Sequence, residues 1–228
     1  MDAQYSLPGI GPAPEPTDRF FFALLPEPGL IRQLGVLAAR FADRFDGELA
    51  PTPAHRFHVS LQHLGNHVGV PVELIRRALR AASHLSFHAF ETRFDRVMMF
   101  SGRSARPGNR ALALVDDEAS KIVEFDASLA EALRHQGLNA RALPFTAHVT
   151  LGYAPLRLFE CEVPPVIWPV REFALVHRRI GRGLPYRLLG RWQLGQSREC
   201  TYHARPAELA AGCAPPIGLA DNNNGTDL

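Results

Sequence analysis

The stretch His58-Val59-Ser60-Leu61 returns later in the chain as His148-Val149-Thr150-Leu151, with one conservative change from serine to threonine. The two histidines lie 90 positions apart, and the same offset superimposes Phe22-Ala23-Leu24-Leu25 on Leu112-Ala113-Leu114-Val115 without a gap. A repeat that occurs twice at so long a period is not typical of solenoids and indicates a duplicated chain. We therefore predict two similar lobes related by a pseudo-two-fold axis, with one histidine from each lobe in a central cleft.

Apolar spacing predicts the same order of elements in both halves, which is a buried strand, a helix and then the motif strand. Helices are expected where apolar residues recur at steps of three and four, at 30–45, 72–85 and 118–135. Strands are expected at 20–25, 57–64, 87–100, 111–115, 147–153, 173–179 and 187–194. A proline-rich connection that ends near Pro169 precedes the last two strands.

Proline, glycine and polar residues interrupt this pattern near both ends of the chain and once in the middle. The middle segment, 101–109, is rich in glycine, proline, serine and arginine and makes the best boundary between the lobes. We therefore expect a flexible leader at 1–18, one domain at 19–203 made of lobe 1 at about 19–100 and lobe 2 at about 110–195, and a disordered tail at 204–228.

The chain has 228 residues, 46% of them hydrophobic, and a formal net charge of +2, which is typical of a globular protein with a buried core. Lys121 is the only lysine, so 24 of the 25 basic residues are arginine. Arginine suits phosphate oxygens, but an arginine-biased genome gives the same count. Six arginines lie between Arg171 and Arg191 against the single acid Glu172, which fits either an anion site or a solvated strand face.

The three cysteines are widely spaced and form no Cys-x-x-Cys pair, so they indicate neither a disulfide framework nor a zinc knuckle. The first residues lack the basic patch and apolar core of a secretory signal. No apolar run approaches the roughly 18 residues that a membrane span needs. We expect a cytoplasmic protein without membrane association, and, since no partner motif is present, a monomer.

The repeated motif places chemistry on one face of each strand. Side chains two residues apart share a face, so His58 and Ser60 point one way, as do His148 and Thr150. Two such strands facing one cleft supply two imidazoles and two hydroxyl groups. This set suits phosphoryl transfer without a metal, because one neutral imidazole can take a proton from attacking water while a protonated one donates to the leaving oxygen. The hydroxyl groups can donate hydrogen bonds to the non-bridging oxygens.

Two other interpretations of the histidines compete with this one. A single His-x-Ser/Thr motif is more often only the polar face of a strand, and it is the duplication in register that favours a catalytic pair. A metal site at His63 and His67 is disfavoured, because Gly65 and Asn66 indicate a turn and no carboxylate lies beside them. We therefore predict no metal ligands.

The paired motif resembles the signature of the two-histidine phosphoesterases, two copies of His-x-Thr/Ser-x, and within them the RNA 2',3'-cyclic phosphodiesterases, also called 2'-5' RNA ligases. The stretch Arg19 to Pro26 is similar to that family's first strand, and Leu64-Gly65 to the turn after its first motif. The resemblance covers about 19–194. It implies a bilobal α+β fold of mostly antiparallel sheets flanked by helices, and neither a metal nor an organic cofactor.

The resemblance also implies roles for the four polar residues of the motifs. His58 would be the proton donor to the leaving oxygen, and His148 the base that activates water. Ser60 and Thr150 would bind the phosphate. The implied partner is an RNA 3' end or a nucleotide that carries a cyclic phosphate.

The chain departs from the family's pattern at the second motif. The family often has proline directly before the second histidine and arginine near the end of that strand, whereas this chain has Ala147 and Tyr153. An aromatic position that can contact the base is matched by Phe145. The candidate contacts to the base or the phosphate are therefore Phe145, Tyr153, Arg157, Arg178 and Arg179.

We expect the protein to hydrolyse 2',3'-cyclic phosphodiesters on RNA ends or nucleotides to 2'-phosphates. Two alternatives remain open from the sequence. The same histidines would serve a phosphodiesterase or ligase that acts on 2'-5' oligonucleotides or on a small cyclic phosphate metabolite. A protein that binds RNA ends without turnover would need the same cleft.

Overall fold

The structure, a computed structural model, describes residues 14–100, 110–115, 121–141, 146–155, 158–195 and 200–201. These residues form three helices, which are α1 (Pro28–Arg44), α2 (Val72–His84) and α3 (Lys121–His135). They also form ten strands, which are β1 (Asp18–Leu24), β2 (Ala50–Pro51), β3 (Val59–His67), β4 (Phe90–Met99), β5 (Arg110–Val115), β6 (His148–Ala154), β7 (Glu160–Val170), β8 (Glu172–Arg179), β9 (Arg187–Gln193) and β10 (Cys200–Thr201).

All the strands belong to one sheet, in the order β10-β9-β8-β1-β3-β6-β5-β4-β7, with β2 beside β6. Every strand pairing in the described residues is antiparallel. The two motif strands, β3 and β6, are neighbours at the centre. Among the described residues, the pairing between β3 and β6 consists of Val59 and Val149 alone. This short contact divides the sheet into two halves. The predicted α+β fold of two antiparallel halves flanked by helices is confirmed.

The duplication is visible in the strand register. On each side of the centre the motif strand pairs with the first apolar strand of its own half, β3 with β1 and β6 with β5. In the first half the register pairs Ala23 with Ser60 and Leu24 with Val59, and in the second half it pairs Ala113 with Thr150 and Leu114 with Val149. Both registers also shift just after the motif, in the manner of a β-bulge, which bends a strand and re-aims its side chains.

The two halves of the sheet are not the contiguous segments 19–100 and 110–195 that the sequence predicts. Strand β4 of the first half of the chain pairs with β5 and β7, and strands β8 and β9 of the second half lie beside β1. Each half of the chain therefore gives at least one strand to the other half of the sheet. The expected proline-rich connection before Pro169 is also a strand, β7. It forms an edge of the sheet, where prolines are tolerated because their missing N–H faces no partner.

The predicted leader at 1–18 ends earlier than expected. Strand β1 begins at Asp18, and the backbone N–H of Thr17 donates to the carbonyl of His67. The rest of the leader, 1–13, and the tail at 204–228 lie outside the described residues. Within the described residues, no helix is both long and apolar enough to cross a membrane.

The two faces of β1 pack differently. Phe20, Phe22 and Leu24 join the main core beneath the helices. Their neighbours Phe21 and Ala23 face the other way, into a small apolar cluster with Ala174 and Val176 of β8. Tyr186 and Leu188 pack against that cluster, which forms the floor of the face that carries the motif side chains. We call this the cleft face.

We expect Gly152→Ala to destabilise the fold and Gly35→Ala to stabilise it. A Cβ atom at Gly152, next to the bulge in β6, would lie 2.8 Å from the Ala50 carbonyl oxygen and 2.9 Å from Leu49 side-chain atoms. Such overpacking costs about 1–3 kcal/mol. Gly35 lies inside α1 with nothing within 4 Å of such a Cβ, so alanine there should add roughly 0.5–1 kcal/mol by its better helix propensity. Urea unfolding of both variants checks this, and equal midpoints would contradict the packing described here.

Candidate active site

The two histidine motifs meet at the centre of the sheet. Val59 and Val149 are paired and fully buried, and they anchor both motifs in the core. The residues on either side of each valine point to the cleft face and are half-buried. Continuing the antiparallel register by one residue in each direction sets one motif's histidine opposite the other motif's hydroxyl residue. The pairing therefore interleaves the two motifs.

This interleaving gives the site its pseudo-two-fold symmetry. His58 lies opposite Thr150, and Ser60 lies opposite His148, by extension of the register. Side chains in such cross-strand pairs have Cβ atoms about 4.5–5.5 Å apart. The structure thus brings together the four residues that the sequence singles out for catalysis and phosphate binding.

Each imidazole is held in the same way, by the backbone carbonyl two residues earlier in the chain. The Nδ1 atom of His58 is 2.7 Å from the carbonyl oxygen of Arg56, and the Nδ1 atom of His148 is 2.8 Å from the carbonyl oxygen of Thr146. A carbonyl oxygen only accepts, so both Nδ1 atoms carry the proton and donate it. In the neutral ring the Nε2 atom then has the free lone pair, which is the state a general base needs.

The two Nε2 atoms differ in their partners. The Nε2 atom of His58 lies 3.0 Å from the Ser60 hydroxyl oxygen, and the serine hydroxyl is the donor in this tautomer. Within the described residues, no hydrogen bond occupies the Nε2 atom of His148. The lone pair of His148 is accordingly open to a water molecule in the cleft.

Burial and neighbouring charges lower the pKa of both histidines. For His58 the largest cause is desolvation, and repulsion by His148 and Arg178 adds to it, while the hydrogen bond to the Arg56 carbonyl acts in the opposite direction. For His148 desolvation again dominates, and Arg141 adds to it. The repulsion that His148 exerts on His58 agrees with their places on neighbouring strands at the centre of the sheet. In the free protein both rings are therefore mainly neutral at pH 7.

Aromatic rings pack against each imidazole. Phe21 and Tyr186 contact His58 with ring centroids 5.3 Å and 5.4 Å away, and the Tyr186 ring stands edge-on at 88°. Phe100 contacts His148 edge-on at 4.7 Å. These contacts restrict ring rotation and exclude water from one side of each imidazole, which is consistent with the desolvation that lowers their pKa values.

A buried polar network begins at Gln62, the residue directly after the first motif. The side-chain amide of Gln62 donates to Asp126 of α3 at 2.6 Å, and the backbone N–H of Arg141 donates to the Gln62 side-chain oxygen at 2.7 Å. The Arg141 guanidinium also donates to Asp126 at 3.2 Å. Burial raises the pKa of Asp126, although Arg141 and Gln62 act in the opposite direction. The network ties β3 and α3 to the segment that leads into His148.

The five candidate contact residues have different positions. Phe145 and Arg157 lie outside the described residues. Tyr153 is exposed at 44% on β6, and Arg178 is half-buried on the cleft face, close enough to His58 to lower its pKa. Arg179 points the other way, and its Nε atom is 3.6 Å from the carboxylate of Asp18.

Asp18 also contacts a histidine and a threonine. The Nε2 atom of His177 is 2.5 Å from Asp18, and both side chains are buried. The Thr17 hydroxyl donates to the same carboxylate at 2.5 Å. Arg179 therefore belongs to a polar cluster at the base of β1 rather than to the cleft.

His63 and His67, the two histidines considered as metal ligands, form hydrogen bonds with backbone groups. The Nδ1 atom of His63 accepts from the N–H of Gly65 at 3.2 Å, and the Nε2 atom of His67 lies 3.0 Å from the Leu64 carbonyl oxygen. In the part of the chain that the structure describes, no three His, Cys, Asp or Glu side chains are grouped so that they could hold a metal ion.

Sequence reasoning missed several residues near the two motif histidines, namely Arg56, Phe100, Arg141 and Tyr186. Tyr186 reaches His58 from the segment just before β9, which lies beside β1 because β9 pairs with β8 and β8 pairs with β1. The signal that was present is the arginine-rich stretch between Arg171 and Arg191, which contains Tyr186. The sequence alone does not place this stretch beside the cleft face, because that position depends on the order of the strands in the sheet.

The repeated motif, the paired imidazoles and the antiparallel halves agree with one protein family. The model of the 2'-5' RNA ligase superfamily matches residues 26–182, more than half of the chain. The chain belongs to this superfamily. Among curated proteins, none matches this member of the superfamily.

Solved structures show the same fold. E. coli LigT in its apo form is 21% identical, with a TM-score of 0.59, and the match covers 80% of this chain and 100% of LigT. LigT complexed with 3'-AMP gives a TM-score of 0.58 at 22% identity, with the same coverage. The protein TT0787 of Thermus thermophilus gives a TM-score of 0.61 at 21% identity, and the match covers 77% of this chain and 97% of TT0787.

We expect His148→Ala to raise the pKa of His58. The substitution removes both the repulsion between the rings and part of the burial that disfavours the charged form. Titration of the imidazole signals by NMR measures this, with His84→Ala at the exposed end of α2 as the control. Because the folded-state pKa of each histidine lies below the value of about 6.5 in an unfolded chain, stability falls as the pH drops through that value. An unchanged His58 titration in His148→Ala would mean that the rings do not share a site.

Proposed function

We propose that this protein hydrolyses 2',3'-cyclic phosphodiesters on RNA ends or nucleotides to 2'-phosphates, without a metal, by general acid and base catalysis. The observation that carries the proposal is the interleaved pair of imidazoles, each with Nδ1 bonded to the carbonyl oxygen two residues earlier, and with the Nε2 atom of His58 beside the Ser60 hydroxyl. Membership of the 2'-5' RNA ligase superfamily supports a phosphoester substrate. Crystal structures of LigT with 3'-AMP and with phosphate support it further.

The reaction needs one proton removed and one supplied. In the proposed mechanism, His148 Nε2 takes a proton from water as the water oxygen bonds to phosphorus. The bond between phosphorus and the ribose O3' atom breaks, and protonated His58 gives its Nε2 proton to that oxygen. The product is a 2'-phosphate with a free 3'-hydroxyl, and the two histidines end with their protonation states exchanged.

The remaining groups of the site stabilise charge. The hydroxyl groups of Ser60 and Thr150 would donate to the non-bridging oxygens, where negative charge is greatest in the transition state. Arg178 adds positive potential on the side of His58. An anionic phosphate between the rings would also raise the pKa of His58, which burial lowers in the free protein, and so supply the proton donor when the substrate is bound.

We expect His58→Ala and His148→Ala each to lower turnover of a 2',3'-cyclic nucleotide by roughly 10²–10⁴-fold, the usual contribution of a general acid or base. EDTA should leave the wild-type rate unchanged. The melting temperature should change little, because both rings are half-buried at the cleft rather than in the core. His84→Ala serves as the control.

A large fall in melting temperature in both variants would indicate a structural role for the histidines. If product is released only from 2'-5' oligonucleotides or from a small cyclic phosphate, those compounds are the substrates and the same two histidines act on them. RNA binding with no turnover of any of them would favour an RNA-end binding protein.

The two histidines can be told apart by the leaving group. We expect His58→Ala to recover most of its activity on an aryl phosphodiester such as a 4-nitrophenyl ester, because a nitrophenolate departs without a proton. His148→Ala should remain impaired on the same substrate, since water still needs a base. Comparison of kcat for the two variants on both substrates gives the answer. Rescue of His148→Ala instead would reverse the roles.

A further inference from the structure

Two arginines face each other on the cleft face without a counter-charge. Arg19 of β1 is paired in register with Arg178 of β8, and both side chains are half-buried. Like charges placed directly opposite each other in a sheet are destabilising. Neither guanidinium forms an ion pair with a carboxylate among the described residues. An arrangement that costs stability in the free protein is consistent with an anion that binds between them.

Other arginines of this region form ion pairs with carboxylates. Arg179 reaches Asp18, Arg171 reaches Glu27, and Arg191 reaches Glu172. The absence of a carboxylate beside Arg19 and Arg178 is therefore local to this pair and not a property of the arginine-rich region as a whole.

Arg19 is held by a neutral partner. Its Nε atom donates to the side-chain oxygen of Asn66 at 2.8 Å, and Asn66 is its register partner on β3. This bond uses one of the five N–H donors of the guanidinium and leaves its charge uncompensated. The side chain is thereby positioned beside Arg178 without being neutralised.

The arginine pair lies two residues along the strands from Phe21, the residue of β1 that contacts His58. Arg19 and Phe21 share a face of β1, and Phe21 contacts both His58 and Tyr186, with ring centroids 5.3 Å and 5.8 Å away. Two residues along a strand correspond to about 7 Å, so Phe21 separates the arginines from the His58 ring. They are too far along the strand to replace Ser60 at the reacting phosphate.

The loop between β8 and β9 closes the other side of this region. A Cβ atom at Gly183 would lie 3.6 Å from the Nη2 atom of Arg56, which places that guanidinium against the loop. Burial raises the pKa of Tyr186, whereas the positive charges of Arg178, Arg56 and Arg19 act to lower it. A half-buried aromatic ring among unpaired arginines is the combination that single-stranded nucleic acid binders use.

We propose that Arg19 and Arg178 form a second anion subsite that binds the internucleotide phosphate preceding a 3'-terminal nucleotide held by the histidine pair. The inference rests on the function proposed above and deepens it, since it makes the preferred substrate an oligonucleotide rather than a mononucleotide. A 2',3'-cyclic mononucleotide fills only the histidine site. An oligonucleotide with the same end fills both.

The test compares kcat/KM for a trinucleotide and for a mononucleotide, both ending in a 2',3'-cyclic phosphate. The wild type should prefer the trinucleotide, and Arg19→Gln should reduce that preference by about tenfold, the usual effect of one charge-assisted hydrogen bond. The preference of the wild type should also weaken with salt more steeply than that of Arg19→Gln. Arg80→Gln, which removes one exposed arginine from α2, is the matched control for net charge.

Equal kcat/KM for the two substrates in the wild type, or an equal loss on both in Arg19→Gln, would overturn the subsite and leave the proposed hydrolysis standing. If neither substrate is hydrolysed, the proposed function is wrong, and the subsite is then tested by ligand binding alone. Tighter binding of a 2'-phosphorylated trinucleotide than of 2'-AMP, lost in Arg19→Gln and kept in Arg80→Gln, would support it. Equal binding of the two ligands would refute it.

Discussion

The antiparallel contact between Val59 and Val149 is the constraint on which the rest of the site depends. It joins the two halves of the sheet, and both valines are fully buried. Because side chains alternate along a strand, burying these two residues forces the histidines and hydroxyl residues beside them onto the opposite face. The antiparallel direction then sets each histidine beside the other half's hydroxyl residue. A parallel contact between the same strands would have aligned histidine with histidine.

The local geometry of each imidazole follows from the cost of burying a polar group. A ring nitrogen at the edge of the core needs a partner, and the carbonyl oxygen two residues earlier supplies one for His58 and for His148 alike. The same hydrogen bond fixes the tautomer and directs Nε2 to the cleft. Desolvation lowers the pKa of both rings, and the nearby His148 adds to this for His58. In the proposed mechanism a bound anionic phosphate reverses the shift at His58, which links substrate binding to the protonation state of the proton donor.

Much of the fold could be predicted from local patterns. The three helices and most strands follow from apolar periodicity, and the offset of 90 residues reappears in the strand register on both sides of the centre. Strand β7 was missed because its prolines argue against a central strand, and only its place at the edge permits them. The exchange of β4 and β8 between the halves was missed because a repeat in sequence does not say which strands pair. Arg178 and Arg179 could be assigned to opposite faces by alternation, but which face meets the cleft depends on the pairing of β8 with β1.

The sequence by itself determined the duplication, the family resemblance and the four polar residues of the motifs, because these depend on identity and spacing along a single strand. The tertiary structure decided which residues surround them. Tyr186 reaches His58, Arg19 lies opposite Arg178, and Gln62 reaches Asp126, all through contacts between segments distant in the chain. No local pattern encodes those contacts. The physical reason is that strand order is chosen by the burial of whole faces in a shared core, and this choice is made by the complete chain.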